Sequence, residues 1–378
     1  MSADFNNTSP FPSSVEFAVV GAGIMGLCTG LYLARSGREV VVLDRGEPWR
    51  EASGVNAGGL GVQNKRLPLI PLALEGVRIW KGFHEELGRN VGYVASGGIR
   101  VATSDEEVQR LRDSLTMQKR VGLELEWLEG SELRSKAPWI SDEVCAATYC
   151  AADSFADPLI AGNALIESII ESGGRIIPRT QVIDISEKTD GLVLGTETGN
   201  LSCRTLIIAT GVWSGKLVRK LGVDLPIALD VNVVNVTEPV TPMVNLLVTH
   251  IKGILSLKQY AHGTCVIGGG WQGLGNLETG QKDLDYLSLI HNLRLAVKIV
   301  PSLANVRLVR SWAGFEGVTP DSLPLFGKLP GHANVFVIGC ARGGWTMGPY
   351  LGRLMTELVL TNRTSYPMDE FDLKRVLN

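Results

Sequence analysis

The residues best suited to chemistry stand near the amino terminus. Gly21-Ala22-Gly23-Ile24-Met25-Gly26 is a GxGxxG turn, with Asp44 following it. The first glycine permits a tight turn, the second lets backbone approach a pyrophosphate, and the third lets a helix pack on a strand. The unpaired N–H groups and positive dipole end of that helix would face the phosphates. Ile24, Met25 and Arg45 belong to the same binding stretch, and Asp44 is placed to accept from ribose hydroxyls and to repel a 2′-phosphate.

Glu51-Ala52-Ser53-Gly54-Val55-Asn56-Ala57-Gly58-Gly59 comes directly after the acid. An NAD domain would normally continue into another helix and strand here. A stretch without bulky side chains, with Ser53 and Asn56 as polar contacts, lets the backbone run flat against something large and favours FAD. The other reading of this stretch is a flexible glycine loop.

The elements around the turn are in the order a dinucleotide unit needs. Glu16–Val20 and Glu39–Leu43 read as buried parallel strands, with a helix from Leu27 to Ser36 between them that Gly37 stops. Pro71 to Leu87 is helical, and Gly97–Ala102 is a strand. Ser104-Asp105-Glu106-Glu107 is a capping box into a helix with Val108, Leu111, Leu115 and Val121 on its core side. Asp157-Pro158 opens another helix, with Leu159, Ile160, Leu165, Ile166, Ile169 and Ile170 inward. Short strands follow at Arg175–Ile177, Val182–Ile185 and Leu192–Leu194, and Leu206–Ile208 runs into Ala209-Thr210-Gly211. From Pro226 to Arg310 the pattern is β-rich, interrupted by a helix from Asp283 to Ile299 with Leu284, Leu287, Ile290, Leu293 and Val297 aligned. Asn334–Gly339 is a buried strand, and Gly343-Gly344 opens a helix to about Leu360.

This pattern predicts an α/β protein: an FAD-binding, Rossmann-like (glutathione-reductase-like) domain with an antiparallel-sheet substrate domain. The FAD-binding domain is discontinuous, built from 15–85, 148–220 and 318–365. The substrate domain comes from 86–147 and 221–317, and 1–14 reads as a loose tail. The ligand is expected where the two meet, at the carboxyl ends of the parallel strands.

The 378 residues suffice for two domains. An apolar share of 45% and a charged share of 20% describe an ordinary globular protein. A net charge of -3 gives no electrostatic reason to expect nucleic acid or an anionic membrane as partner. No signal peptide or transmembrane segment is apparent, and six cysteines without CxxC spacing and five scattered histidines offer neither a disulfide framework nor a metal site. The expected location is cytoplasmic.

Several further motifs stand in register with these. Ala209-Thr210-Gly211-x-Trp213-Ser214, Trp312-Ala313-Gly314, Thr319-Pro320-Asp321, Pro324 and Gly339-x-x-Arg342-Gly343-Gly344 follow Gly21–Gly26, Asp44 and Ser53-x-x-Asn56-Ala57-Gly58-Gly59. Together they resemble the FAD-dependent D-amino-acid-oxidase-like family of glycine and sarcosine oxidases. Ser53–Leu60 with Val62-Gln63, and Trp312–Glu316, are most similar to the catalytic β subunits of opine and hydroxyproline dehydrogenases, with the related hydrogen cyanide synthase subunit. The resemblance implies cofactor contacts that also include Val182, Gly314, Gly339, Arg342, Gly343, Gly344, Trp345 and Thr346. It implies hydride transfer from the carbon next to an amine to flavin N5, and hydrolysis of the resulting imine. It also implies partners, an α flavoprotein and a small iron–sulfur γ subunit.

Departures from the family refine this expectation. The cysteine that tethers FAD in monomeric sarcosine oxidases would fall near Gly314, so FAD should be non-covalent. The oxygen-activating lysine would fall near Val266, which favours a dehydrogenase over an oxidase. Carboxylate-binding arginine and lysine would fall near Gly61 and Thr346, against sarcosine as substrate. The histidine that holds FMN at a subunit interface would fall near Ala156, so any FMN is non-covalent or absent. Arg342 remains the carboxylate partner, with flavin contact or solvent exposure as its other readings. Glu316 facing the cleft would favour a cationic part of the substrate, and its other reading is an exposed or salt-bridged acid. Trp345, Met347 and Tyr260 are pocket or core. Three functions remain: a catalytic dehydrogenase subunit acting on a secondary or D-amino acid, a non-catalytic electron-relay subunit, and a stand-alone oxidase.

Overall fold

The structure, a computed structural model, describes residues 10–340 and 342–377. Residues 1–9 of the expected tail lie outside the described residues, and Ser14 already opens the first strand. In chain order the elements that position the site are β1 (Ser14–Val20), α1 (Ile24–Arg35), β2 (Val40–Leu43), β3 (Gly59–Leu60) and α2 (Ile70–Leu87). Then come α3 (Asp105–Arg120), α4 (Pro158–Glu171), β4 (Asn200–Ile208), β5 (Ala228–Pro239) and β6 (Leu247–His250). The last are β7 (Ser256–Gln259), β8 (Thr264–Gly268), α5 (Tyr286–Ile299), β9 (Leu308–Val318), β10 (Val335–Gly339) and α6 (Gly344–Thr361).

Apolar runs without alternation belong where both faces are covered, and the all-buried Val40–Leu43 lies there. β1 is central, parallel to β2 on one side and to β4 on the other. Arg175–Ile177 extends the parallel order beyond β2, and β10 extends it beyond β4. The antiparallel strands Val182–Lys188 and Gly191–Thr196 join the first half of β4, whereas β10 takes its last residues, Leu206–Ile208. α1 packs on α6 and α4, and α2 packs on α6. The α1–α6 crossing is close because Gly348 and Gly352 face Ile24 and Cys28, where a Cβ would come within 2.6 Å of each.

The second sheet has eight strands in the order β9, β5, β8, β7, β6, Gly98–Ala102, Ala146–Cys150 and Glu126–Glu129. It is antiparallel except where β6 runs parallel to Gly98–Ala102. A small sheet of β3, Ser154–Ala156 and Tyr93–Val94 stands apart from both. No helix among the described residues is long and apolar enough to cross a membrane.

Three helical faces differ from the expected ones. α3 buries Glu107, Leu111 and Gln118 while Val121 is exposed. Polar partners explain this: Lys252 and His250 engage the Glu107 carboxylate, and the Gln118 amide donates to the Gln63 carbonyl. α4 leaves Leu159, Ile160 and Ile170 exposed, and its small residues Ala161, Gly162 and Ala164 face inward instead. α5 turns Leu287 and Ile290 outward and buries Asn292, Ala296 and Ile299, because the Asn292 amide donates to Gly268 O at 3.1 Å.

Candidate active site

The turn between β1 and α1 is built by close approach. Gly21 has φ +106, and a Cβ there would lie 2.5 Å from the Ala209 carbonyl oxygen. A Cβ on Gly26 would lie 1.8 Å from the Gly21 oxygen, so this glycine sets the contact of helix with strand. Gly23 differs: its missing Cβ would meet just the Ser53 hydroxyl, at 3.2 Å, and otherwise leaves space. The first turn of α1 carries no acid, so its positive end remains available to an anion. Ser53 Oγ accepts from Ile24 N at 2.9 Å. Asp44 Oδ2 accepts from Ala22 N at 2.8 Å, and its Oδ1 accepts from Gly46 N at 2.9 Å. Burial raises the Asp44 carboxyl pKa, opposed by these two N–H groups and by Arg45.

A groove of about 500 Å³ runs from this turn, within the range of cofactor sites. Gly21, Gly23, Ile24, Met25, Asp44, Arg45, Ser53, Asn56, Val182, Ala209, Thr210, Gly211, Trp213, Glu316, Gly339, Gly344 and Trp345 share its wall. Gly26, Ala57, Gly58, Gly59, Gly314, Arg342, Gly343 and Thr346 are not part of that wall. Gly314 instead lies against Val55, whose Cγ2 would be 2.5 Å from an added Cβ. In the groove wall the Arg45 guanidinium sits over the Trp213 ring, 3.7 Å from its centroid. Trp345, also in the wall, packs on Trp80 and Trp49, with ring centroids at 4.7 and 5.7 Å. Met347 is core, and Tyr260 OH donates to Ala156 O at 3.3 Å beside Gly58.

Buried polar atoms test what the groove is built for. Trp213 Nε1, Trp345 Nε1 and Thr346 Oγ1 are buried without a hydrogen-bond partner among the described residues. Each such atom costs about 1–3 kcal/mol when left unpaired. Of the eight residues with such atoms among those described, Trp213 and Trp345 line the groove, which also holds the open helix end. The residues therefore fit a long polar ligand of dinucleotide size.

Around Glu316, which shares the groove wall, the site becomes ionic. Asp230 on β5 stands directly opposite Glu316 on β9. Like charges facing each other across a sheet are unfavourable and need cations close by. Arg342, itself exposed, pairs with Asp230. Asn232 Nδ2 donates to Glu316 Oε2 at 2.5 Å. Burial raises the Glu316 carboxyl pKa, with Arg342, Asn232 and Lys65 working against it and Asp230 with it. Burial pushes the Lys65 ammonium down to about 8, against the pull of Asp153 and Glu316. Cations and acids thus alternate over a few residues, which suits a ligand that is itself a zwitterion.

Sequence reasoning placed Arg342 and Glu316 here but missed Lys65, Asp230 and Asn232. Asp230 and Asn232 were legible in principle, two residues apart on a strand and so on one face. Lys258 was also missed. Position 266 is a buried valine as expected, yet Lys258 lies directly across from it on β7 and is fully buried. A basic side chain thus stands beside Val266 on the facing strand, where the sequence reading expected no cation.

A family model described as FAD dependent oxidoreductase matches residues 16–358. The chain belongs to this family. Within it, the chain is 28% identical to glycine oxidase of Geobacillus kaustophilus over 370 residues, 95% of this chain and 97% of the relative. It is 26% identical over 375 residues to one subunit of the opine oxidase of Agrobacterium tumefaciens, covering 96% and 97% of the two chains. The L-proline dehydrogenase structure from P. horikoshii superposes with a TM-score of 0.89 at 25% identity, covering 97% of this chain and 98% of that one. FAD is thus the dinucleotide for which the groove of this FAD-dependent oxidoreductase is built.

Proposed function

We propose that this protein dehydrogenates a secondary or D-amino acid of opine or hydroxyproline type at the carbon next to the amine. The observation that carries this reading is the Arg342, Asp230 and Glu316 cluster, of which Glu316 lines the FAD groove. Bound FAD supplies the hydride acceptor. Arg342 would turn from Asp230 to grip the substrate carboxylate with a planar, bidentate contact. Asp230, released from that pair, and Glu316 would hold the substrate nitrogen. The Trp345, Trp80 and Trp49 rings, packed edge-on and tilted, would exclude water from the groove wall.

Non-covalent FAD is part of the proposal. Gly314 and Ala156 offer no nucleophile, and among the described residues Cys340 is the one cysteine of the groove wall. Burial pushes the Cys340 thiol up to about 12, and its Sγ donates to Gly211 O at 3.2 Å, so it is a poor nucleophile. We place the FAD-binding domain at 15–85, 148–220 and 318–365, and the substrate domain at 86–147 and 221–317, which follows the division between the two large sheets except at Ala146–Cys150. Partnership with a second flavoprotein and an iron–sulfur subunit is supported by the opine oxidase relative, which is itself one subunit of a larger enzyme. A stand-alone oxidase is the second reading, favoured by the full-length likeness to glycine oxidase and by the cation at Lys258.

The test is anaerobic mixing of the FAD-loaded protein with opines, D-proline, hydroxyproline, glycine and sarcosine. Bleaching by an opine or a cyclic amino acid supports the proposal. Rapid recolouring in air supports the oxidase, and no bleaching by any amine favours an electron-relay subunit. Flavin mass retained on the denatured chain would contradict non-covalent binding.

A further inference from the structure

Lys258 is the one charge-bearing side chain among the largest fully buried ones of the described residues. It is 0% exposed, and its one polar contact among the described residues is a 3.5 Å hydrogen bond to Ser256 Oγ. An ammonium has three donors, so two lack partners there. Burying such a charge without a counter-ion is among the costliest things a fold can do. No carboxylate of the described residues offsets it: burial by itself pushes Lys258 down to about 7.

The surroundings of Lys258 are specific. Ser256, Lys258 and Tyr260 alternate along β7 and its end and share one face. That face meets Gly58 and Gly59: Tyr260 OH abuts Gly58, and a Cβ on Gly59 would lie 3.1 Å from Ser256 Oγ, 3.5 Å from Leu247 and 3.8 Å from Lys258 Nζ. β8 contributes Val266 opposite Lys258, and β6 contributes Leu247 and Thr249. Of the titratable groups nearby, Tyr260 donates to Ala156 O. Cys265 lies opposite Gln259, on the other face of the sheet. His250 is engaged by Glu107, and Asp153 by Val62 N and the Gln63 amide. Asn56 is in the groove wall, and the chain from Ala57 to Gly59 is bare of large side chains. Lys258 therefore packs on bare main chain three residues from Asn56 of the groove wall.

We propose that Lys258 is the proton-linked counter-cation of the flavin, taking up a solvent proton as the flavin is reduced. The balance is simple. Two electrons and one proton reaching the neutral ring leave one negative charge on it. A second proton from solvent converts the Lys258 amine to ammonium, and the pair is neutral overall. Well above pH 7 the oxidised protein then keeps an uncharged amine in its apolar place, which removes the burial cost before turnover.

Redox titration of the FAD-loaded protein against a reference dye, with dithionite as reductant, tests this independently of any substrate. At about pH 8.5 the wild-type protein takes up about two protons per two electrons, and Lys258→Met takes up about one. At neutral pH the reduction equilibrium of Lys258→Met falls about tenfold, which is about 30 mV for a two-electron couple. Lys258→Arg, charged in both states, also takes up one proton but keeps a midpoint potential above that of the methionine variant. A merely structural lysine would not move the proton count. Uptake of one proton by the wild type at that pH overturns the proposal even if neither variant holds FAD, as does an unchanged count in Lys258→Met that retains FAD. Failure of every amine to bleach the protein would instead count against the substrate reading and leave this measurement standing.

Discussion

A methyl group added at two neighbouring glycines should separate cofactor binding from folding. Gly23 has φ -83 and ψ -176, a conformation open to alanine. Its added Cβ would touch Ser53 Oγ at 3.2 Å and nothing else within 4 Å, so the apoprotein should unfold within about 1 kcal/mol of the wild type. The same methyl occupies the place where pyrophosphate must approach the α1 N-terminus. Overpacking of this kind costs about 1–3 kcal/mol, or roughly 5–150-fold in FAD affinity. Gly26→Ala is the contrast, because its Cβ would lie 1.8 Å from the Gly21 oxygen and α1 must leave β1 to admit it. That variant should lose about 3 kcal/mol of apoprotein stability. Urea unfolding of the apoproteins and quenching of flavin fluorescence on binding measure the two quantities separately. If Gly23→Ala binds FAD within about twofold of wild type, the phosphates do not lie at α1 and the reasoning is wrong.

Arg342→Ala should raise KM for the true substrate about 10-fold or more with kcat less affected, since charge-assisted contacts are worth about 1.5–3 kcal/mol; equal KM values would remove Arg342 from substrate binding. Acid stability should report Glu107: burial alone would raise its carboxyl, but Lys252, Thr103 and His250 hold it at about 2. A depressed carboxyl stabilises above its unfolded value of about 4.3 and loses that contribution as pH falls through the folded value, so Glu107→Gln should flatten the loss between about pH 4.5 and 2 in thermal melts. Leu277 and Glu278 on the Leu274–Asp283 hairpin line the groove, and the hairpin is fastened by the Lys216–Glu278 and Lys282–Glu51 ion pairs. FAD release followed by fluorescence should therefore quicken about 2–5-fold in high salt or in Glu278→Ala, and salt-independent release would dismiss the strap.

Legibility followed the range of the interaction. The β1–α1–β2 crossover, the Asp44 position and the Asp157 cap of α4 could be read because each depends on residues close in sequence. The Asp157 side chain accepts from both Leu159 N and Ile160 N as its type suggests. The exposed faces of α4 and α5 could not be read, since periodicity shows which residues align and not which way the stripe turns. For α5 the buried contacts of Asn292 are with Gly268 and Asn235, both far from it in the chain. Arg342 and Glu316 were legible as residue types in order, but the acid that pairs with Arg342 comes from the partner strand, 112 residues away. Lys258 was hidden for the same reason. A lysine on a short strand reads as solvent-facing until the strand is seen packed against Gly59.

The most direct measurement is the visible spectrum of the purified protein with FAD, recorded anaerobically before and after addition of each candidate amino acid. The account predicts oxidised flavin bands at one FAD per chain, which vanish on addition of an opine or a cyclic amino acid and need about 10-fold more of that substrate to vanish when Arg342 is alanine. A colourless protein after refolding with excess FAD, or bleaching that is indifferent to Arg342, Asp230 and Glu316, would contradict it.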